Sequence, residues 1–325
     1  MRPIRAFCAV LAGMAAIAIA TAVAAPQWPA RSILVVSPFV AGTTIDLVAN
    51  LVLDQVGRKF GRPFVIENRP GGSGTVGVAS VVHAAPDGYT FLLSSSAMNA
   101  AVVLHKSLPY DPLHDLAPVA MFGGQPSVLL AAPNKGFKTV ADLVAAAKAS
   151  PGALKFASVG VGSGSYFTAE HFAVAAGLNV QHVAYPGPVE ALTDLMAGRV
   201  DFYFVPMPPA QPLIAQGKVV ALAVTTPYRL ADLLTVPALG EAGYPIPAYL
   251  FWCGLSAPVN TPSDIVEKLN AAIGEILGVS TLQIRFRQMG FVTTPMGPER
   301  YGKFFADDLA GFVKLGNDAH IQPLD

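Results

Sequence analysis

The chain has 325 residues, 53% of them apolar, and 21 Lys and Arg balance 21 Asp and Glu. Neutrality argues against a nucleic-acid binder, which calls for a basic face, while the length and the apolar share suit two domains with a large core. In chain order the first element is "MRPIRAFCAVLAGMAAIAIATAVAAPQW". Arg2 and Arg5 precede an apolar run, and "TAVAA" offers small residues for cleavage, the pattern of a secretory signal peptide over residues 1–25. The alternative for this segment is a retained membrane anchor. Cys8 lies inside the apolar run and not at its end, against a lipoprotein anchor. Without Arg2 and Arg5, 19 basic residues face 21 acidic ones. Beyond the leader no apolar stretch is long enough to span a bilayer. Cys253 is then the one remaining cysteine, so no internal disulfide forms. In "YLFWCGLSAP" it reads as a small buried hydrophobe.

Strand-like and helix-like runs alternate from there. "RSILVVS" (31–37) is a strand, followed by a helix with Ile45, Val48, Val52 and Val56 at helical spacing. "PFVIE" (63–67) is a strand, "ENRPGGSGTVG" a turn into a short helix, and "YTFLLS" (89–94) a strand. A second set starts at "SVLLAAPN" (127–134) and runs through "TVADLVAAAKASPG", "LKFAS", "YFTAEHFAVAAG", "VQHVAYPG", "PVEALTDLMAGR", "VDFYFV" and "VVALAVTT". This rhythm predicts βα units around largely parallel sheets. Residues 226–249 read as a Pro-rich loop. "LFWCGLSAP" is a strand, and "NTPSDIVEKLNAAIGEIL" a helix with Thr261 as N-cap and Pro262 at its first position. A last helix over roughly 297–315 suggests that the chain returns to pack on the first set.

Chemistry concentrates in the loops. In "FASVGVGSGSYFTAE", Gly160, Gly162 and Gly164 follow a strand and open a helix. The spacing is neither the dinucleotide fingerprint nor a Walker loop, and no Lys follows. Glycines let backbone N–H groups approach a ligand, a helix start carries partial positive charge, and Ser163 and Ser165 add hydroxyls. A carboxylate fits as well as a phosphate; a loop that merely turns the chain is the alternative. "SPFVAGTTIDLV" repeats the arrangement with Gly42, Thr43 and Thr44, where Thr44 could be a plain N-cap. "LLSSSAMN" puts Ser94, Ser95 and Ser96 at a strand's C-terminal end, where open α/β sheets bind ligands. The six histidines show no metal-ligand spacing, and no G-x-S-x-G elbow occurs, since threonine follows where "GGSGT" would need glycine. Asp46 and Asp201 could meet a histidine only through folding.

The segments "PFVAGTTIDLVAN", "ENRPGGSGTVG", "AAPDGYTFLLSSS", "SLPYDPLHDLAPVA", "FASVGVGSGSYFTAEHF", "VAYPGPVEALTDLMAGRVD" and "FWCGLSAPVNTPSDIVEKLN" together resemble the solute receptors of tripartite tricarboxylate transporters, the Bug-type periplasmic binding proteins. The resemblance covers essentially the whole chain past the leader. It implies an α/β, two-domain periplasmic-binding-protein fold, type II-like, with a ligand cleft between two α/β domains joined by a hinge. We expect one domain over 26–127 plus 227–325 and the other over 128–226. The implied ligand is a small organic carboxylate, held by backbone N–H groups, hydroxyls and water, with no cofactor, no metal and no catalytic residue. The implied partners are the membrane permease components of a tripartite transporter, and the expected state is a monomer in the periplasm. By position, the resemblance assigns Phe39, Gly42, Thr43, Thr44 and Ser95 to one wall, and Ser163, Gly164, Ser165, Tyr185 and Gly187 to the other. "ENRPGG" reads as structural, with Glu67 and Asn68 organising a turn. Where the family has "FDNLPSA", this chain has "FVPMPPA" (204–210). The loss of a carboxylate there argues against an amino-acid ligand, and Phe204, Val205 and Met207 near the cleft would suit a more apolar, aromatic acid. Tyr166 is expected to offer ring and hydroxyl to the site. A ligand-sensing co-receptor for a signalling protein and an exported hydrolase are the other readings.

Overall fold

The computed structural model describes residues 28–246 and 251–324; the expected signal peptide lies outside them. Two mixed sheets organise the chain. The first contains β1 (Ile33–Ser37), β2 (Phe64–Asn68), β3 (Thr90–Ser95), β4 (Leu116–Gln125), and two late strands, Phe251–Pro258 and Val292–Met296. The second contains β5 (Ser127–Ala131), β6 (Lys155–Ser158), β7 (Gln181–Ala184), β8 (Phe202–Pro206) and β9 (Val220–Val224). The late strands are therefore β10 and β11. The orders are β11-β4-β10-β3-β1-β2 and β7-β6-β8-β5-β9.

The helices follow the apolar periodicity of the sequence. They are α1 (Thr44–Phe60), α2 (Thr75–Val82), α3 (Ser96–Leu104), α4 (Val140–Ala149), α5 (Gly164–Ala176), α6 (Pro188–Met196), α7 (Met207–Ala215), α8 (Ser263–Leu277), α9 (Ser280–Gln288) and α10 (Pro298–Asp318). In α1, Ile45, Val48, Val52 and Val56 are all buried, and Gly61 closes the helix in the left-handed region. Glycine takes that conformation without the Cβ penalty.

The expectation of largely parallel sheets needs correction. Strands β1, β2 and β3 are parallel, but β10 lies antiparallel between β3 and β4, and β11 runs antiparallel to β4. In the second sheet β6 is parallel to β7 and β8, while β5 is antiparallel to β8 and β9. The cause is the path of the chain: it leaves the first sheet at β4, builds the whole second sheet, and re-enters as β10. The crossing from β4 to β5 is made through Pro126 alone. The predicted N-cap Thr261 is also corrected. The residue before α8 is Pro262, and the Thr261 hydroxyl donates to the Pro258 carbonyl at 2.7 Å.

Three clusters of buried side chains stand out among the described residues. One lies under the first sheet, with Trp252, Tyr301 and Phe305. A second covers one face of the second sheet. The third covers its other face and also takes in Ala100 and Leu104 of α3 and Phe312 and Leu315 of α10. There the rings of Phe167 in α5 and Phe312 in α10 meet edge to face, with centroids 5.0 Å apart. Cys253 is buried in β10, and desolvation pushes its thiol up, away from reactive thiolate.

Candidate functional site

One carboxylate shapes the loop between β1 and α1. Asp46, buried in the first turn of α1, accepts from the Gly42 N–H at 3.1 Å and from the Asn68 side-chain amide at 2.9 Å. The same amide donates to the Phe39 carbonyl at 3.1 Å. Thr43 is the N-cap and its hydroxyl accepts from the Asp46 N–H at 3.2 Å; Thr44 is the first helical residue. The end of β2 thus holds the loop of its neighbouring strand. Asp46 is answered by an amide and a backbone N–H. Asp201 accepts from the Lys155 N–H at 2.7 Å and pairs with Lys135 at 2.8 Å.

The loop between β6 and α5 is braced by hydroxyls. Ser163 caps α5, accepting from the Tyr166 N–H at 3.2 Å, and donates to the Gly160 carbonyl at 2.7 Å. Ser165 lies 3.0 Å from Ser163 Oγ and accepts from the Val159 N–H at 3.2 Å. It also bonds Tyr203, whose phenol burial pushes up to about 12. Behind them Ser158 Oγ sits 2.6 Å from His182 Nε2, and the Gly160 N–H reaches the same hydroxyl at 3.0 Å. The imidazole stacks on Phe156, and burial lowers its pKa. A serine beside a histidine invites comparison with a nucleophile and its base. Ser158 is fully buried, however, and its hydroxyl is already engaged by Gly160; the pair holds the loop in shape.

The two loops face each other across a cavity of about 370 Å³. Its first wall is residues 38–40, the turn at Gly71, Ser73 and Gly74, and Ala97, Ala100 and Leu104 of α3; its second is Val161 and Gly162. Of the residues expected at the site, Phe39 lines this cavity. Gly42, Thr43 and Thr44 follow directly on that loop, and Ser95 caps the helix that carries Ala97, accepting its N–H at 3.2 Å. Ser163, Gly164 and Ser165 follow directly on Gly162. Tyr185 and Gly187 stand at the end of β7, next in the sheet to β6. The Tyr185 hydroxyl is turned to Asp194, donating at 2.9 Å, and Glu190 leans over Gly187.

The turn at residues 71–74, in the segment that reads as structural from sequence, is a part of the wall. Gly71, Gly72, Ser73 and Gly74 all have positive φ, at 135°, 53°, 56° and 93°. Four successive residues in that region carry the chain from β2 into α2 with its backbone against the cavity. The available signal was the run "GGSG" just after a strand. Ser94, by contrast, points away: its hydroxyl lies 2.9 Å from Ser256 Oγ and 2.8 Å from the Tyr301 hydroxyl, in the core. Two further expectations are corrected. Phe204, Val205 and Met207 are buried in the two clusters of the second sheet, and none of them lines the cavity. Tyr166 is buried against Phe156 and hydrogen-bonds Glu170. Among the described residues no group of His, Cys, Asp and Glu could hold a metal ion, and no helix is long and apolar enough to cross a membrane.

Comparison with known proteins adds an independent finding. Residues 48–316 match the model of the tripartite tricarboxylate transporter family receptor. Protein BugT of Bordetella pertussis is 34% identical over 301 residues, 91% of this chain and 92% of BugT. Among solved structures, R. palustris Rpa4515 with adipate is 31% identical, with a TM-score of 0.75, over 92% of this chain and 100% of that one. MatC from Rhodopseudomonas palustris with bound malate is 31% identical, with a TM-score of 0.70, over 89% and 99%.

Proposed function

This chain belongs to the tripartite tricarboxylate transporter receptor family, and on that premise we propose how it works. It is a periplasmic solute receptor of the Bug type for a small carboxylate, and its family and fold are those of a receptor, not of an enzyme. The ligand is taken between two lobes, one over 26–127 plus 227–325 and one over 128–226, after export under the leader at 1–25. The receptor works as a monomer and passes its ligand to the membrane components of a tripartite transporter. A rotation about the crossings at Pro126 and after β9 brings the two walls together, and the closed form is what the membrane partner recognises.

The observation that carries this reading is that residues 38–40 and 161–162, on the loops that lead from separate sheets into the helix starts capped by Thr43 and Ser163, line one cavity. The first turn of a helix leaves N–H groups without intrahelical partners. Each cap hydroxyl takes one of them, and the rest are donors for an anion. Phe39, Gly42, Thr43, Thr44 and Ser95 then form one wall around the carboxylate. Ser163, Gly164, Ser165, Tyr185 and Gly187 form the other, with Ser163, Ser165 and Tyr185 acting through the backbone that their hydroxyls hold in place. Charge-assisted hydrogen bonds of about 1.5–3 kcal/mol each offset the desolvation of the anion.

The test is a thermal-shift panel of carboxylates without added metal or nucleotide. A ligand at about 100 times its Kd stabilises by roughly 2.7 kcal/mol. The reading requires a selective shift that Ser163→Ala weakens. A flat response across mono-, di- and tricarboxylates and acidic amino acids would overturn it.

A further inference from the structure

Accepting the receptor reading, we infer that the ligand is a carboxylate with a plain hydrocarbon body, aliphatic or aromatic, without hydroxyl or ammonium substituents. The cavity between the two loops presents Phe39, Val40, Ala100 and Leu104 on one wall and Val161 on the other. None of the described residues that line it is charged. Val40 is 60% exposed and Val161 43% exposed, so two aliphatic groups face solvent on opposite lips of the cleft. Exposed large apolar groups paired across a cavity fit an apolar guest. Phe39 is held for that role: its ring meets Phe251 at 6.5 Å in an edge arrangement, and its carbonyl is tied to Asn68.

The polar equipment points the same way. A ligand ammonium meets no carboxylate among the residues that line this cavity, Ser73 carries the one hydroxyl among them, and the hydroxyls on the neighbouring loops are engaged in holding those loops. Thr43, Ser95 and Ser163 cap their helices, and Ser165 is bonded to Val159, Ser163 and Tyr203. Backbone N–H at the helix starts suits carboxylate oxygens and cannot accept from an ammonium. Enclosing an unmatched polar substituent is penalised, whereas each enclosed methylene is favoured. The apolar character comes from Val40, Leu104 and Val161, and not from the "FVPMPPA" segment, whose Phe204 and Val205 are core residues.

The test is titration calorimetry of the purified protein with five probes: hexanedioate, benzoate, malate, citrate and aspartate. We expect hexanedioate or benzoate to bind at least about tenfold more tightly than malate, citrate and aspartate, a difference of about 1.4 kcal/mol. Val40→Ser and Val161→Ser should each lower that affinity several-fold with little change in melting temperature, since both side chains are exposed. Malate, citrate or aspartate binding as tightly as the hydrocarbon acids, or more so, would overturn the inference and leave the receptor reading intact. Unchanged affinity in both variants would also overturn it. Absence of binding by all five probes would bring down the receptor reading, and this inference with it.

Discussion

Gly162, in the loop between β6 and α5, stands directly against Leu104 of α3. A Cβ built on Gly162 would lie 2.9 Å from Leu104 Cδ1. Its φ is +92°, while Gly160, two residues earlier, has φ +105° and open space around it. Alanine at either position should cost roughly 1–2 kcal/mol of stability through backbone strain. Only Gly162→Ala also displaces a neighbour, the end of the buried Leu104 side chain. It should lose about tenfold or more in affinity by depopulating the closed form, while Gly160→Ala, similarly destabilised, keeps much more of its binding. Calorimetry with matched unfolding curves decides between the two effects.

Asp46 and Asn68 should behave as one unit. Asp46→Ala leaves the Gly42 N–H and the Asn68 amide without their acceptor; Gly42 is exposed and Asn68 half-buried, so water replaces part of the loss and the cost is about 0.5–1.5 kcal/mol for each hydrogen bond. Asn68→Ala removes the tie to Phe39. A double-mutant cycle in urea should return a coupling of roughly 0.5–3 kcal/mol. Additive losses would mean that the two residues do not share the loop between them.

Asp308 links α10 to the first sheet, accepting from Trp252 Nε1 at 2.8 Å and from Asn99 Nδ2 at 2.7 Å. Burial pushes its pKa up to about 6, against the two hydrogen bonds that lower it. The folded protein therefore holds this proton more tightly than the unfolded chain, where an Asp titrates near pH ~3.9. Its contribution is fully present below pH ~4 and is lost as pH rises through about 6. Asp308→Asn keeps acceptor geometry and offers a donor to Asn99 Oδ1, which is buried without a hydrogen bond. The variant should gain about 2 kcal/mol over wild type near neutral pH and little near pH ~4, measured as urea midpoints across that range.

His171 works in the opposite sense. It lies edge-on to Phe312, and burial, helped by Lys314 and opposed by Asp318, pulls its pKa down to about 4. Its contribution is present above the unfolded value near pH ~6.5 and is lost as pH falls through about 4. His171→Gln should remove an acid-side loss of up to about 3 kcal/mol. In the wild type this loss and the Asp308 gain fall in one pH window and partly cancel. A flat wild-type profile that splits into two sloped profiles in the single variants is the expected pattern.

Some of this was legible in the sequence because local physics decided it. The α1 helix followed from Ile45, Val48, Val52 and Val56, and both loop-to-helix junctions followed from their glycines and hydroxyls. The pairing of β10 between β3 and β4 was not legible, since it joins residues more than a hundred positions apart and leaves no local periodicity. Side-chain direction was equally hidden. Val205 near the end of β8 and Val40 just past β1 are the same residue type at strand ends, yet one is fully buried and the other mostly exposed. Ser163 and Ser165 read as ligand donors by type, whereas their hydroxyls are consumed within the loop. The turn at 71–74 was not legible as a wall, because its neighbours Glu67 and Asn68 do structural work and spacing alone does not show which part of the segment faces inward.

For a protein engineer, these features sort the cleft into fixed and writable positions. Residues 71–74 hold four successive positive φ angles, a backbone path that side-chain libraries would break. Val40 and Val161 face solvent from opposite lips and contribute little to the core. They are the places to attach an environment-sensitive dye or to rewrite selectivity, turning the receptor into a reagentless sensor without re-solving its folding.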